Sequence, residues 1–341
     1  MKILVTGGTG FLGSHLVERL IDRGHSLRIL ARSAPSAVER SIEFHQGDVR
    51  HPESLRRAVR SVDVVYHLAG LVSFHPQDGR TMYELHVEGT RQLLEAAREY
   101  EVQRIILAST SGTIAVSKEE AIGNEENDYP IAVVGRWPYY LSKIYQEKLA
   151  LQFCREHSIP LVVLNPSLLL GPGDDRLSST WIVSKFLNQD IAAMPSGGLS
   201  FVDCRDAADA FAAALSAGEV YGRHLMGVNM SLREFFGRLS RLTGVSAPKL
   251  RLPSKVTVLS AELLERWARL RGVEPALDPY SVEIGEHFFY LDSSKAERLL
   301  GFKARDSQET LQATISELMS KMPVDALPGI KGKLTERRGR A

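Results

Sequence analysis

The run Thr6-Gly7-Gly8-Thr9-Gly10-Phe11-Leu12-Gly13 joins the apolar segment Lys2-Ile3-Leu4-Val5 to a stretch in which Leu12, Leu16, Val17, Leu20 and Ile21 recur at helical spacing. A glycine-rich turn between a buried strand and an amphipathic helix leaves the chain few folds to choose from. Glycine permits the tight turn, removes side-chain bulk where backbone nears a phosphate, and lets the helix pack close to the strand. The helix N-terminus then offers free N–H groups to a pyrophosphate. Gly8, Gly10 and Gly13 satisfy a bare GxGxxG, which alone could be only a turn. The fuller frame on Gly7, Gly10 and Gly13, in this strand–loop–helix setting, points to a dinucleotide.

Alternation extends the pattern. Apolar runs at residues 3–6, 27–30, 42–45, 62–68, 105–109 and 161–165 are separated by helical patterns, and Gly24 stands as a stop after the first helix. Right-handed crossovers then give a doubly wound parallel α/β sheet. Residues 1–167 form the dinucleotide domain, with 201–228 expected to return to it. Past Asn165 the regularity fails, and joints such as Gly171-Pro172-Gly173 and Pro195-Ser196-Gly197-Gly198 open a smaller, mainly helical substrate-binding region, 168–200 and 229–322. Ser231-Leu232-Arg233-Glu234 has capping-box form, and residues 260–271 and 310–322 read as helices. Residues 323–341 form a basic tail without apolar periodicity, expected to be disordered.

Composition removes other classes. Lys and Arg total 42 against 41 Asp and Glu, so a formal charge of +1 gives no field for nucleic acid or an anionic membrane. Cys154 and Cys204 are too few for a disulfide framework and lack the spacing of a zinc site, so both are expected as packed thiols and no metal is expected. The stretch 159–173 is broken by three prolines and is too short to span a bilayer. With no basic leader ahead of the first strand, a cytoplasmic location is expected.

The second strand reports which dinucleotide. An acid at its end would grip the ribose 2′-hydroxyl of NAD, yet Leu30 is followed by Ala31 and Arg32. Arg32 can pair with a 2′-phosphate, which favours NADP(H) and leaves NAD(H) open; an ordinary surface arginine is the plain alternative. Asp48 and Val49 follow the third strand, where a carboxylate could accept the adenine amino group and a valine could pack on its ring. Leu68, Ala69 and Gly70 end the fourth strand beside the expected cleft.

Tyr139 and Lys143 stand four residues apart in a segment that turns helical, so they project from one face. A phenol is a poor acid until a nearby cation favours its ionised form, and Lys143 could be that cation while binding the nicotinamide ribose. YxxxK alone occurs by chance. Here it follows the glycine loop at the interval that four further strands would need, and the fifth strand ends in Ala108-Ser109-Thr110-Ser111-Gly112, whose hydroxyls face the ligand crevice. Tyr140 has Ile144 in place of a lysine and reads as packing.

Taken together, the Thr6–Gly13 loop, His67-Leu68-Ala69-Gly70, the Ser109–Thr113 hydroxyls, Trp137 to Lys143, Asn165-Pro166-Ser167 with Gly171-Pro172-Gly173, and Phe201 to Asp206 resemble the extended short-chain dehydrogenase/reductase family. The resemblance is strongest to its dihydroflavonol reductase-like and hopanoid-associated sugar-epimerase-like branch, and it covers the chain to about Met322. It implies a Rossmann fold. It also implies a cofactor set of Gly7, Gly10, Phe11, Leu12, Gly13, Arg32, Asp48, Val49, Leu68, Ala69, Gly70, Tyr139, Lys143, Pro166 and Ser167. Thr110 matches the hydroxyl that polarises the reacting oxygen, where serine is commoner, and Ser109 or Ser111 could hold that register.

The resemblance implies hydride transfer between nicotinamide and a ketone or secondary alcohol. Alternatives are a nucleotide-sugar epimerase with tightly bound cofactor and a catalytically silent cofactor-sensing scaffold; intact Tyr139 and Lys143 argue against the last. A dehydratase would need an Asp-Glu pair after Thr110, where Ser111 and Gly112 stand. Family members are often dimers, so a homodimer is a further expectation.

Overall fold

The computed structural model describes residues 1–33, 42–191, 193–249 and 279–322; the helix expected at 260–271 and the tail at 323–341 lie outside the described residues. The first half alternates as its pattern demands. It contains β1 (Lys2–Thr6), α1 (Phe11–Asp22), β2 (Ser26–Ala31), β3 (Ile42–Gln46), α2 (Pro52–Val59) and β4 (Val64–His67). Next come α3 (Gly79–Tyr83), a π-helical turn (Glu84–Glu88), α4 (Gly89–Glu99) and β5 (Arg104–Ala108). Then follow β6 (Ile122–Gly123), α5 (Ile131–Val134), α6 (Pro138–Glu156), β7 (Leu161–Pro166), β8 (Leu168–Leu170) and α7 (Trp181–Leu187). The chain continues through β9 (Gly198–Asp203), α8 (Cys204–Ala213), β10 (Arg223–Met226), β11 (Val228–Ser231) and α9 (Leu232–Thr243).

Seven strands pair in parallel in the order β10-β7-β5-β4-β1-β2-β3. This is the doubly wound Rossmann arrangement. Its central strands β1, β4, β5 and β7 are almost wholly buried because helices cover both faces. On one face Leu16 and Leu20 of α1 pack with Ala207 and Phe211 of α8; on the other Leu55, Leu93, Ala97 and Cys154 close the core. The strand order turns back on itself at β1, between β2 and β4, and opens a crevice at the C-terminal strand ends where ligands of such sheets bind.

Besides the two-residue β6 and the strand Tyr290–Leu291 that pairs with it, four strands had no sequence signal. β10 carries Arg223 and His224, yet it pairs with β7, and His224 is buried with Nδ1 at 3.0 Å from the Val163 carbonyl. β8, β9 and β11 form a separate three-stranded sheet, so the substrate-side region is less helical than expected. These runs are too short, and too close to glycine and proline, to show a period of two. Ser231 does cap α9 through the Glu234 N–H at 3.1 Å, but the Glu234 carboxylate turns to Arg238 instead of closing the box. The helix expected from 310 runs over Ser307–Ser320. Both cysteines are free and buried.

Candidate active site

The crevice gathers residues from the ends of six strands. Gly7 turns the chain after β1 with φ +74°, and a Cβ there would lie 2.7 Å from the Ala69 nitrogen, so the glycine loop sits directly against Leu68-Ala69-Gly70. A Cβ on Gly13 would come within 2.1 Å of the Gly7 carbonyl oxygen, which is the close helix-to-loop packing the sequence implied. Gly10 differs. Its N–H closes the turn on the Gly7 carbonyl at 3.0 Å, and a Cβ would meet that oxygen at 3.2 Å and be otherwise free on the open side. No side chain caps α1 and no acid lies in its first turn, which suits a helix end that receives a phosphate.

Together these features make a cradle that side chains would fill, and a nicotinamide dinucleotide fits it. Arg32 is the first residue past β2 and is exposed; Asp48 and Val49 follow β3. Asp48 is gripped by the Arg50 guanidinium, which holds its carboxyl below the usual range, and Val49 is buried against Gly89. Pro166 ends β7, and the buried Ser167 hydroxyl beyond it has no hydrogen-bond partner among the described residues. Gly10→Val should leave a folded protein by circular dichroism but weaken NAD(P)H binding at least about tenfold, since the isopropyl group would enter the cradle. Wild-type affinity in that variant would reduce the loop to a turn.

α6 begins at Pro138 after an extended Trp137, and its buried face carries Lys143, Gln146 and Glu147 alongside the apolar Ile144, Ala150, Leu151 and Cys154. Tyr139, on its first turn, reaches the Thr110 hydroxyl just beyond β5. Burial pushes the phenol up to about 12, against the lowering effect of Thr110. Lys143 lies on the same helix and reaches back to the end of β5. Its ammonium donates to the Ala108 carbonyl at 2.8 Å and to Gln146 Oε1, and burial pushes it down to about 7 against the opposing charge of Glu147. The three hydroxyls of the run also separate. Ser109 Oγ is spent on the Glu147 carboxylate and Ser111 is buried in the turn, so Thr110 is the one beside Tyr139.

A model of the NAD-dependent epimerase/dehydratase family matches residues 3–226. The chain belongs to that family. It is an NAD(P)-dependent enzyme of the extended short-chain dehydrogenase/reductase type. It is 29% identical over 324 residues to a 4-hydroxy-2-methyl-3-oxo-4-farnesyl-3,4-dihydroquinoline-1-oxide ketoreductase of Stigmatella aurantiaca, covering 89% of this chain and 92% of that one. It is 30% identical over 190 residues to a dihydroflavonol 4-reductase of Zea mays, about half of each chain (50% and 53%). In fold it resembles a UDP-glucose 4-epimerase of Thermus thermophilus solved with NAD, with TM-score 0.75, 23% identity, and coverage of 94% and 100%.

Within this family frame, His67 and Ser142 join a buried polar network whose other members, Thr90, Gln146 and His86, escaped the sequence reading. His67 bonds Thr6 Oγ1 at 2.7 Å and Thr90 Oγ1 at 2.9 Å, and burial holds it at about 3, so it is neutral. Thr90 accepts from Gln146, whose other end holds Lys143. His86, in the π-helical turn, accepts the Leu71 N–H at 3.0 Å, so its Nδ1–H donates to Ser142, which in turn donates to the Tyr139 carbonyl at 2.7 Å. The loop after β4 is thereby tied to the helix that presents Tyr139. Among the described residues no helix is long and apolar enough to cross a membrane, and no group of three or more His, Cys, Asp or Glu could hold a metal.

Proposed function

We propose that this enzyme uses NADP(H) to move a hydride between nicotinamide and a ketone or secondary alcohol, with Tyr139 as proton donor, Thr110 polarising the oxygen and Lys143 as the cofactor-side cation. The observation that carries the reading is the meeting of the Tyr139 phenol with the Thr110 hydroxyl at the C-terminal end of β5. The bound nicotinamide supplies the hydride. As the carbonyl carbon gains it, the C–O π electrons move to oxygen, and Tyr139 gives that oxygen its proton to leave a secondary alcohol. An alkoxide holds a proton more tightly than a phenolate does. Transfer therefore runs downhill even from a phenol raised to about 12. Thr110 donates a hydrogen bond as the negative charge builds. In the oxidising direction Tyr139 is the base.

NADP(H) is preferred because Arg32 stands where an acid would repel a 2′-phosphate. Arg32→Ala should cost NADPH roughly 1.5–3 kcal/mol of binding, the worth of one charge-assisted contact, and leave NADH binding nearly unchanged. Titration of both cofactors decides it: equal wild-type affinities would remove the preference. The relatives' names cover a quinoline-oxide ketoreductase, a dihydroflavonol reductase and a sugar-nucleotide epimerase, and the same Tyr139 and Thr110 could serve the epimerase. Net NADPH oxidation against panels of ketones and nucleotide sugars tests the reading. Interconversion of a sugar nucleotide without net oxidation would assign epimerase chemistry instead.

A further inference from the structure

Gly171-Pro172-Gly173 leads from β8 into the substrate-side region. Both glycines hold positive φ, +119° and +99°, which other residues rarely adopt, and the turn they make presents the Pro172 carbonyl to α1. There His15 Nε2 lies 2.9 Å from that oxygen. A carbonyl only accepts, so His15 donates. A Cβ on Gly173 would stand 3.3 Å from the same nitrogen, and the Phe11 ring meets His15 edge-on at 6.3 Å between centres. Phe11 opens α1, so His15 stands one turn beyond the glycine loop. Farther along, the buried Asp174 carboxylate accepts the N–H groups of Ser178 at 2.9 Å, Ser179 at 2.8 Å and Thr180 at 2.9 Å, and α7 starts at the next residue. Cys204 Sγ adds a weaker contact to the Pro172 carbonyl at 3.5 Å, and the Gly171 N–H goes to Thr314 Oγ1 at 2.8 Å. Among the described residues, the His15 bond is the one hydrogen bond between α1 and the segment 171–180.

We infer that His15 is a positioning residue that fastens residues 171–180 to the dinucleotide-binding end of α1, so that a seated cofactor firms the start of the substrate-side region, an inference that rests on a dinucleotide binding at the glycine loop. A dinucleotide held at the N-terminus of α1 stills the turn that carries Phe11 and His15. A ring already held gives up less rotamer freedom when it donates, so the bond to Pro172 tightens and openings of 171–180 become rarer. A ligand shifts an equilibrium only by its preference between the two states, and the preference here is worth one hydrogen bond. The substrate then meets a firm loop once the cofactor is in place, which favours binding of the cofactor first.

Amide hydrogen exchange of the full chain tests this at Ser178, Ser179 and Thr180, with and without a saturating dinucleotide, NADPH or NADH, whichever binds tighter. Exchange at the three amides should slow about five- to tenfold in the wild type, the scale of one hydrogen bond, and by less than about twofold in His15→Ala. His15→Gln, whose amide can donate to the same carbonyl, should restore most of the slowing. Gly173→Ala, which crowds the joint from the other side, should abolish it. The amides of Leu16 and Leu20 in α1 check folding and binding, and should slow with dinucleotide in every variant. The matching ADP-ribose, 2′-phosphorylated if NADPH is the tighter, lacks the nicotinamide and should slow the same amides. Undiminished slowing in His15→Ala, or none at Ser178 to Thr180 while Leu16 and Leu20 respond, overturns the inference. Slowing by the whole dinucleotide alone traces the effect to the nicotinamide and overturns the route through His15. Leu16 and Leu20 unresponsive to both NADPH and NADH would bring down the cofactor reading, and the inference with it.

Discussion

Tyr139→Phe should still bind NADPH and lose roughly 10²–10⁴ in kcat, about 3–5 kcal/mol of transition-state stabilisation. The variant keeps the ring, and with it the contacts to Phe74 and His86, and removes only the proton that the new alkoxide takes. Thr110 then faces the oxygen alone. Because burial keeps the proton on Tyr139 well past neutrality, reduction should hold level from neutral into mildly alkaline pH. Oxidation, which needs the phenolate, should climb over the same span. Tyr145→Phe is the control: it lies exposed on the same helix and should match the wild type. Single-turnover rates at saturating NADPH decide the matter. A Tyr139→Phe rate within threefold or so of wild type would move the proton donor elsewhere.

What the sequence made legible was local. A strand followed by Gly7, Gly10 and Gly13 and then a helix is written within one short segment, and the six strands of the first half announce themselves by apolar runs. Tyr139 and Lys143 are readable for the same reason: one helical turn fixes their relation. The hydroxyl register was not readable, because Ser109, Thr110 and Ser111 are alike in chemistry and differ only in direction. Ser109 turns toward Glu147, while Thr110 turns toward the phenol. His86 and Thr90 were hidden because their partners come from β4, the loop after it and α6, elements distant in the chain. Phe74 was equally silent until the crossovers set it beside Tyr139. Glu147 left a faint trace. It stands four residues after Lys143, continuing the Tyr139 stripe, but a polar residue on a helix ordinarily faces water.

That stripe carries the second large effect. Glu147→Ala should cost roughly 3–5 kcal/mol of stability in urea unfolding, the range for breaking a buried charged network from one side. The Glu147 carboxylate is fully buried and accepts from Ser109 Oγ, from Asn165 Nδ2 at 2.9 Å, and from Thr113 Oγ1 and the Tyr129 hydroxyl, each at 3.1 Å. Arg223 adds its charge at 3.8 Å while stacking on Tyr129. Alanine would strand these donors and leave a partly buried guanidinium short of its counter-charge. Glu147→Gln keeps the volume and should lose less, but it removes the negative charge that opposes the burial of Lys143. The folded-state pKa of Lys143, about 7, is below its ordinary 10.5, so the cost of folding around its ammonium is fully present below the folded value. That cost fades as pH rises toward 10.5, and the stability contributed by this group therefore increases across the window. With glutamine at 147 the window should open at lower pH, because the carboxylate charge that favours the ammonium is then gone. Unfolding of wild type and Glu147→Gln across neutral and alkaline pH measures both. A Glu147→Ala loss under about 1 kcal/mol, or identical pH profiles, would mean that the carboxylate neither organises the hydroxyls behind Thr110 nor sets the charge on Lys143.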